Sequence, residues 1–142
     1  MSLTRLLLID SHQGFRESAR KYLLRCPGFS SVEIADSYSE GLLLSKQNDY
    51  DLLLVDRKIL FGNPVLIKEI EKLKQDNSSI DVLVLFLFRE EDISRCQELF
   101  PLISGIILKE SFAEDLYEYL AAEKNDHVES QDSSRKGVDQ CN

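Results

Sequence analysis

The stretch LLLIDSHQGF, Leu6 to Phe15, runs through four apolar residues into a single carboxylate at Asp10 and turns polar at once. A second apolar run, LLLVDRK from Leu52 to Lys58, ends the same way at Asp56. Short, continuous apolar runs suit strands covered on both faces, as in a parallel sheet. Two carboxylates at the same end of two such strands would make a site.

Working outward, IDVLVLFLF (Ile80–Phe88) and SGIILK (Ser104–Lys109) repeat the strand pattern, and SVEIA (Ser31–Ala35) is a weaker candidate. Between these runs the period lengthens to that of a helix. FRESARKYLLRC puts Phe15, Ala19, Tyr22 and Leu23 on one face before Pro27-Gly28 stops it. SYSE, Ser37 to Glu40, has the form of a capping box ahead of GLLL. Pro64 suits the first turn of a helix with Leu66, Ile67, Ile70 and Leu73 in a stripe. EEDISRCQELF (Glu90–Phe100) carries Ile93, Cys96, Leu99 and Phe100 at helical spacing, and SFAE (Ser111–Glu114) is a second capping-box pattern leading a final helix. Strand followed by helix, five times over, predicts an α/β domain with a mostly parallel sheet and helices on both faces. Such folds bind ligands at the carboxyl ends of their strands, where Asp10 and Asp56 stand.

The chain of 142 residues has room for one domain with a real core, and 43% hydrophobic with 30% charged residues fits a globular protein. A formal charge of -8 argues against nucleic-acid contact by this chain and favours a cation or a basic partner. Cys26, Cys96 and Cys141 form no C-x-x-C pair, so neither a disulfide framework nor a zinc site is indicated. No apolar run approaches the roughly 20 residues of a spanning helix. A reducing cytoplasm, without membrane, is the setting this predicts. Residues 123–142 contain valine as their only aliphatic type and read as a polar, disordered tail or linker, leaving residues 1–122 as the domain.

Several enzyme classes lack their signatures. There is no G-x-G-x-x-G, no G-x-x-x-x-G-K-[ST] and no G-x-S-x-G, and His12 and His127 are the only histidines. Haloacid dehalogenase-type phosphohydrolases also use an aspartate at the end of a first strand, but they place a second aspartate two residues later. Here those residues are His12 after Asp10 and Lys58 after Asp56.

From Arg5 to about Ala122 the chain resembles the receiver domain of two-component response regulators, and IDSHQGFRESARKYL resembles the opening of the NarL/FixJ-type subgroup. The resemblance rests on four features in order: an acid after the first strand, an aspartate ending DLLLVD, helix-strand alternation, and a lysine ending GIILK. It implies a flavodoxin-like (βα)5 fold with strand order 2-1-3-4-5. It also implies that Asp56 is a phosphoacceptor, that Lys109 contacts the phosphoryl group, and that a histidine kinase or phosphotransfer protein is the donor. Asp10, Asp56 and the backbone carbonyl of Lys58 would hold Mg²⁺. The chain would then be a signalling module and not an enzyme, with a homodimer face on the helix after the fourth strand, the fifth strand and the final helix. Each residue also has a plain reading. A strand-end aspartate is commonly a helix cap or turn former, a lysine ahead of a helix is commonly solvated, and His12 reads as a loop residue.

The sequence departs from the family pattern at its switch. Ser11 stands where the family has a second acid, which leaves it a weak metal ligand and weakens Mg²⁺ binding or removes it. Phe86 stands where a Ser or Thr would bond the phosphoryl group, and Ile106 where many receivers have Tyr or Phe. The segment KILFGN, Lys58–Asn63, reads as an altered loop over the site, with Phe61 packing locally. Two readings follow. One is a phosphotransfer receiver; the other is a phosphorylation-independent pseudo-receiver that acts as a dimerisation or protein-interaction module.

Overall fold

The computed structural model describes residues 4–87, 97–99 and 101–127. Five strands form one parallel sheet: β1 (Thr4–Ile9), β2 (Phe29–Ala35), β3 (Leu52–Asp56), β4 (Asp81–Phe86) and β5 (Gly105–Leu108), in the order β2-β1-β3-β4-β5. The described helices are α1 (Gln13–Leu24), α2 (Tyr38–Gln47), α3 (Arg57–Phe61), α4 (Pro64–Asp76) and α5 (Phe112–His127). This is the flavodoxin-like order expected above. Of the helix anticipated over Glu90–Phe100, residues 90–96 and Phe100 lie outside the described residues, as do Phe88 and Cys141.

Side-chain alternation along the strands divides the core into two layers. Leu6 and Leu8 of β1, Leu52 and Leu54 of β3, Leu83 and Leu85 of β4 and Ile107 of β5 pack with Ala19 and Leu23 of α1 and Phe112 and Leu116 of α5. Leu7, Ile9, Leu53, Val55, Val82, Val84 and Phe86 face the other way, toward Ile59 and Leu60 of α3 and Leu66 and Ile70 of α4. The central strands are thus apolar on both faces, which is why their sequences run continuously. On that second side Gly41 lets α2 approach β1, for a Cβ there would lie 2.6 Å from Ile9 Cδ1.

Local signals account for most helix starts. Ser37 Oγ accepts the Glu40 amide at 3.2 Å, while the Glu40 carboxylate reaches back to the amide of Asp36 at 3.0 Å. Pro64 opens α4. Three expectations are corrected. His12 is the N-cap of α1, its Nδ1 accepting from the Phe15 amide at 3.2 Å, and not a plain loop residue. The approach to α5 is a 3₁₀ turn over Lys109–Ser111, and the carboxylate that reaches back is Asp115, accepting the Leu108 amide at 3.0 Å. Helix α5 continues to His127, past the boundary drawn at 122, because Glu123 and Lys124 propagate a helix already nucleated by the packed residues before them. Residues 128–142 are outside the described part. Among the described residues no helix is long and apolar enough to cross a membrane.

At the amino end of the sheet, Tyr50 is buried with its hydroxyl bonded to the Glu33 carboxylate, and the Arg5 guanidinium lies 5.7 Å from its ring centroid. Burial, and then the hydrogen bond and charge of Glu33, push this phenol up to about 12. A phenol whose folded value is raised stabilises the fold fully below its unfolded value of about 10 and loses that contribution as pH rises toward 12. Absorbance titration of the folded protein is expected to show one tyrosine ionising near pH 12. That step should vanish in Tyr50→Phe, and a wild-type titration complete by pH 11 would contradict the burial argument.

Candidate functional site

The site is built by the same alternation. Asp10 follows the parity of Leu6 and Leu8, Asp56 that of Leu52 and Leu54, and Lys109 that of Ile107, so all three stand over the α1 and α5 side at the carboxyl edge. Strand β3 lies between β1 and β4, and β5 lies beyond β4, which leaves Lys109 to reach across from the edge strand. Its Nζ is 2.7 Å from Asp10 Oδ2 and 2.7 Å from Asp56 Oδ1. The lysine side chain is only 12% exposed.

Each carboxylate uses its second oxygen to start a helix or turn. Asp10 Oδ1 accepts the His12 amide at 2.8 Å, closing a turn that aims α1, and the Asp10 carbonyl accepts Arg16 Nη1 at 3.0 Å. Asp10 is fully buried, and among the described residues its Oδ2 has the ammonium as partner and no other donor. Asp56 Oδ2 accepts the amides of Lys58 at 3.0 Å and Ile59 at 3.3 Å, so Asp56 is the N-cap of α3. KILFGN is therefore not an altered loop: its first four residues complete this short helix. Phe61 is half-buried against the core, as expected of local packing.

The triad carries two negative charges and one positive. Burial pulls the Lys109 ammonium down, but hydrogen bonds and charge from Asp10 and Asp56 more than offset this and hold it above the ordinary lysine value. The ammonium also lies 5.0 Å from the Phe15 ring centroid, a contact that inspection of the sequence missed.

Of the residues expected around the site, Asp10, Asp56 and Lys109 are brought together and the others are not. Ser11 is exposed. The Lys58 carbonyl accepts the Gly62 amide at 3.0 Å at the end of α3, which uses one of its two lone pairs. Phe86 is fully buried among the residues facing α3 and α4, and Ile106 packs against that same cluster. A magnesium ion here would share the Asp10 and Asp56 carboxylates with the Lys109 ammonium. One oxygen of each carboxylate faces the ammonium and the other accepts backbone amides, so one negative charge is left over, and Mg²⁺ would complete its near-octahedral shell with waters. Among the described residues no group of three or more His, Cys, Asp or Glu side chains is arranged to hold a metal.

A five-stranded parallel sheet in this order, with helices on both faces, is the fold of receiver domains. Solved structures agree. A two-component response regulator of the LuxR family from Aurantimonas sp. SI85-9A1 is 23% identical with a TM-score of 0.66, over 85% of this chain and 84% of that one. The non-phosphorylated receiver domain of the stress response regulator RcsB from Escherichia coli is 21% identical with a TM-score of 0.70, over 87% and 95%. RcsB from Salmonella enterica serovar Typhimurium, bound to promoter rprA in the presence of phosphomimetic BeF3-, is 21% identical with a TM-score of 0.66. There the match covers 86% of this chain and 62% of the regulator. No protein-family model matches the sequence, and no curated protein matches it either. The chain has the fold of response regulator receivers.

Removing the shared cation exposes its structural weight. Lys109→Met leaves two buried carboxylates facing each other and is expected to cost about 3 kcal/mol in urea unfolding at neutral pH. Adding Asp10→Asn should recover a large part of that loss, and equal stabilities of wild type and Lys109→Met would refute the ion triad.

Proposed function

We propose that the chain is a receiver module of two-component signal transduction, working in the cytoplasm, whose phosphoryl acceptor is Asp56. The observation that carries this reading is the Lys109 ammonium 2.7 Å from Asp56 Oδ1 at the ligand-binding edge of a receiver fold. Asp56 Oδ2 is occupied by the backbone of α3, so Oδ1 is the attacking oxygen. Oδ1 forms a bond to phosphorus while the bond from phosphorus to the donor nitrogen breaks, and that nitrogen keeps the electron pair. The donor is a phosphohistidine of a kinase or phosphotransfer protein. Lys109 passes from the carboxylate to the transferred oxygens, supplying fixed positive charge where negative charge gathers. Lys109 is the protein's own cation for this step, and Mg²⁺, held by Asp10, Asp56 and the Lys58 carbonyl and bound more weakly for lack of an acid at Ser11, would add a second. The chain acts as a signalling module and not as an enzyme, and the DNA binding of the longer regulator above would belong to a part of such proteins beyond the receiver.

A second reading is favoured by one observation. Phe86 and Ile106, at the two family switch positions, are taken up by core packing and carry neither a hydroxyl nor a phenol. In that reading the ion triad is permanent, and the module works by homodimerisation or by docking a partner.

Intact-mass measurement after incubation with acetyl phosphate, with and without Mg²⁺, separates the two. One added phosphoryl group in the wild type, absent in Asp56→Asn, is the expected outcome. No adduct at any magnesium concentration would overturn the acceptor role and leave the docking module.

A further inference from the structure

The ion triad has a fourth wall. Lys109 Nζ directs itself at two carboxylate oxygens, each at 2.7 Å, and the Phe15 ring stands 5.0 Å away. Phe15 belongs to the first turn of α1, the helix aimed by the Asp10 turn and the His12 cap. Its ring does not stand alone. The Phe112 ring, at the start of α5, meets it edge to face at 5.4 Å and 86°. Tyr22 packs on Phe112 in the same manner at 6.0 Å and 79°. Phe112 is buried, and it follows Lys109 by only three residues, so the backbone that places the ammonium also places the ring that braces Phe15.

We propose that Phe15 is a positioning residue for Lys109: its ring face, braced by Phe112, holds the ammonium against both Asp10 and Asp56 and keeps it from turning to solvent. The chemistry requires an aromatic and not merely an apolar side chain. A ring presents a negative face to a cation and excludes water from the ammonium's remaining side, whereas leucine fills space without attracting charge. A lysine has four flexible torsions, and two carboxylates alone leave it free to keep one partner and release the other. The effect on phosphoryl transfer rests on the acceptor reading above; the positioning itself does not.

The test compares wild type, Phe15→Leu and Phe15→Tyr, all at a half-buried position where a folded protein is expected. Nuclear magnetic resonance of the lysine side chains is the first readout. In the wild type the Lys109 ε-methylene protons should be shifted upfield by the ring, and its ammonium nitrogen should be as ordered as the backbone. Phe15→Leu should make that ammonium mobile, and Phe15→Tyr should restore both signatures. The initial rate of phosphorylation by acetyl phosphate should fall about fivefold in Phe15→Leu, in line with a cation–π contact at a partly buried site, and return in Phe15→Tyr. An ammonium equally ordered in Phe15→Leu, or a wild-type Lys109 without the upfield shift, overturns the proposal. A measurable rate that is unchanged in Phe15→Leu overturns the effect on phosphoryl transfer. If no variant is phosphorylated yet the ammonium loosens only in Phe15→Leu, the positioning stands and the acceptor reading fails.

Discussion

One ammonium shared by two buried carboxylates is the interaction on which this end of the molecule depends. Asp10 is fully buried and Asp56 nearly so, and two such charges side by side in a low-dielectric environment are costly without a counter-ion. The parallel sheet creates this crowding by bringing all its carboxyl ends to one edge, and Lys109 relieves it. Through their second oxygens the same two aspartates also close the turn ahead of α1 and cap α3. Charge balance and helix placement are thus a single arrangement, held from three strands at once.

Much of this was legible in the sequence because it follows from period and position. Continuous apolar runs identify doubly covered strands, and an acid or lysine as the first polar residue after such a run must stand at the sheet edge. Parity then selects the face, which is why Asp10, Asp56 and Lys109 meet. What escaped has equally physical reasons. Phe15 occupies an apolar helix position whether its ring fills core or faces an ammonium, and only the turn at Asp10 decides which. Lys58–Phe61 ends in Gly62-Asn63 and reads as a loop. The Asp56 carboxylate, by accepting two amides, supplies the start that turns it into a helix. That helix in turn brings the Gly62 amide onto the Lys58 carbonyl, an outcome that residue identity does not reveal.

The placement of Phe86 and Ile106 follows from the same geometry. Phe86 and Ile106 alternate away from Asp56 and Lys109, on the parity of Val84 and Leu108, so a large apolar side chain there enlarges the core under α3 and α4 without disturbing the triad. A hydroxyl at position 86 would need a partner in that apolar layer. The Asp56 cap links the site to the core directly. Oδ1 faces the ammonium and Oδ2 faces α3, so any change in charge on the first oxygen alters how strongly the second accepts the Lys58 and Ile59 amides. Ile59 and Leu60 are buried in the cluster that contains Phe86, and α3 therefore joins the acid site to that core layer.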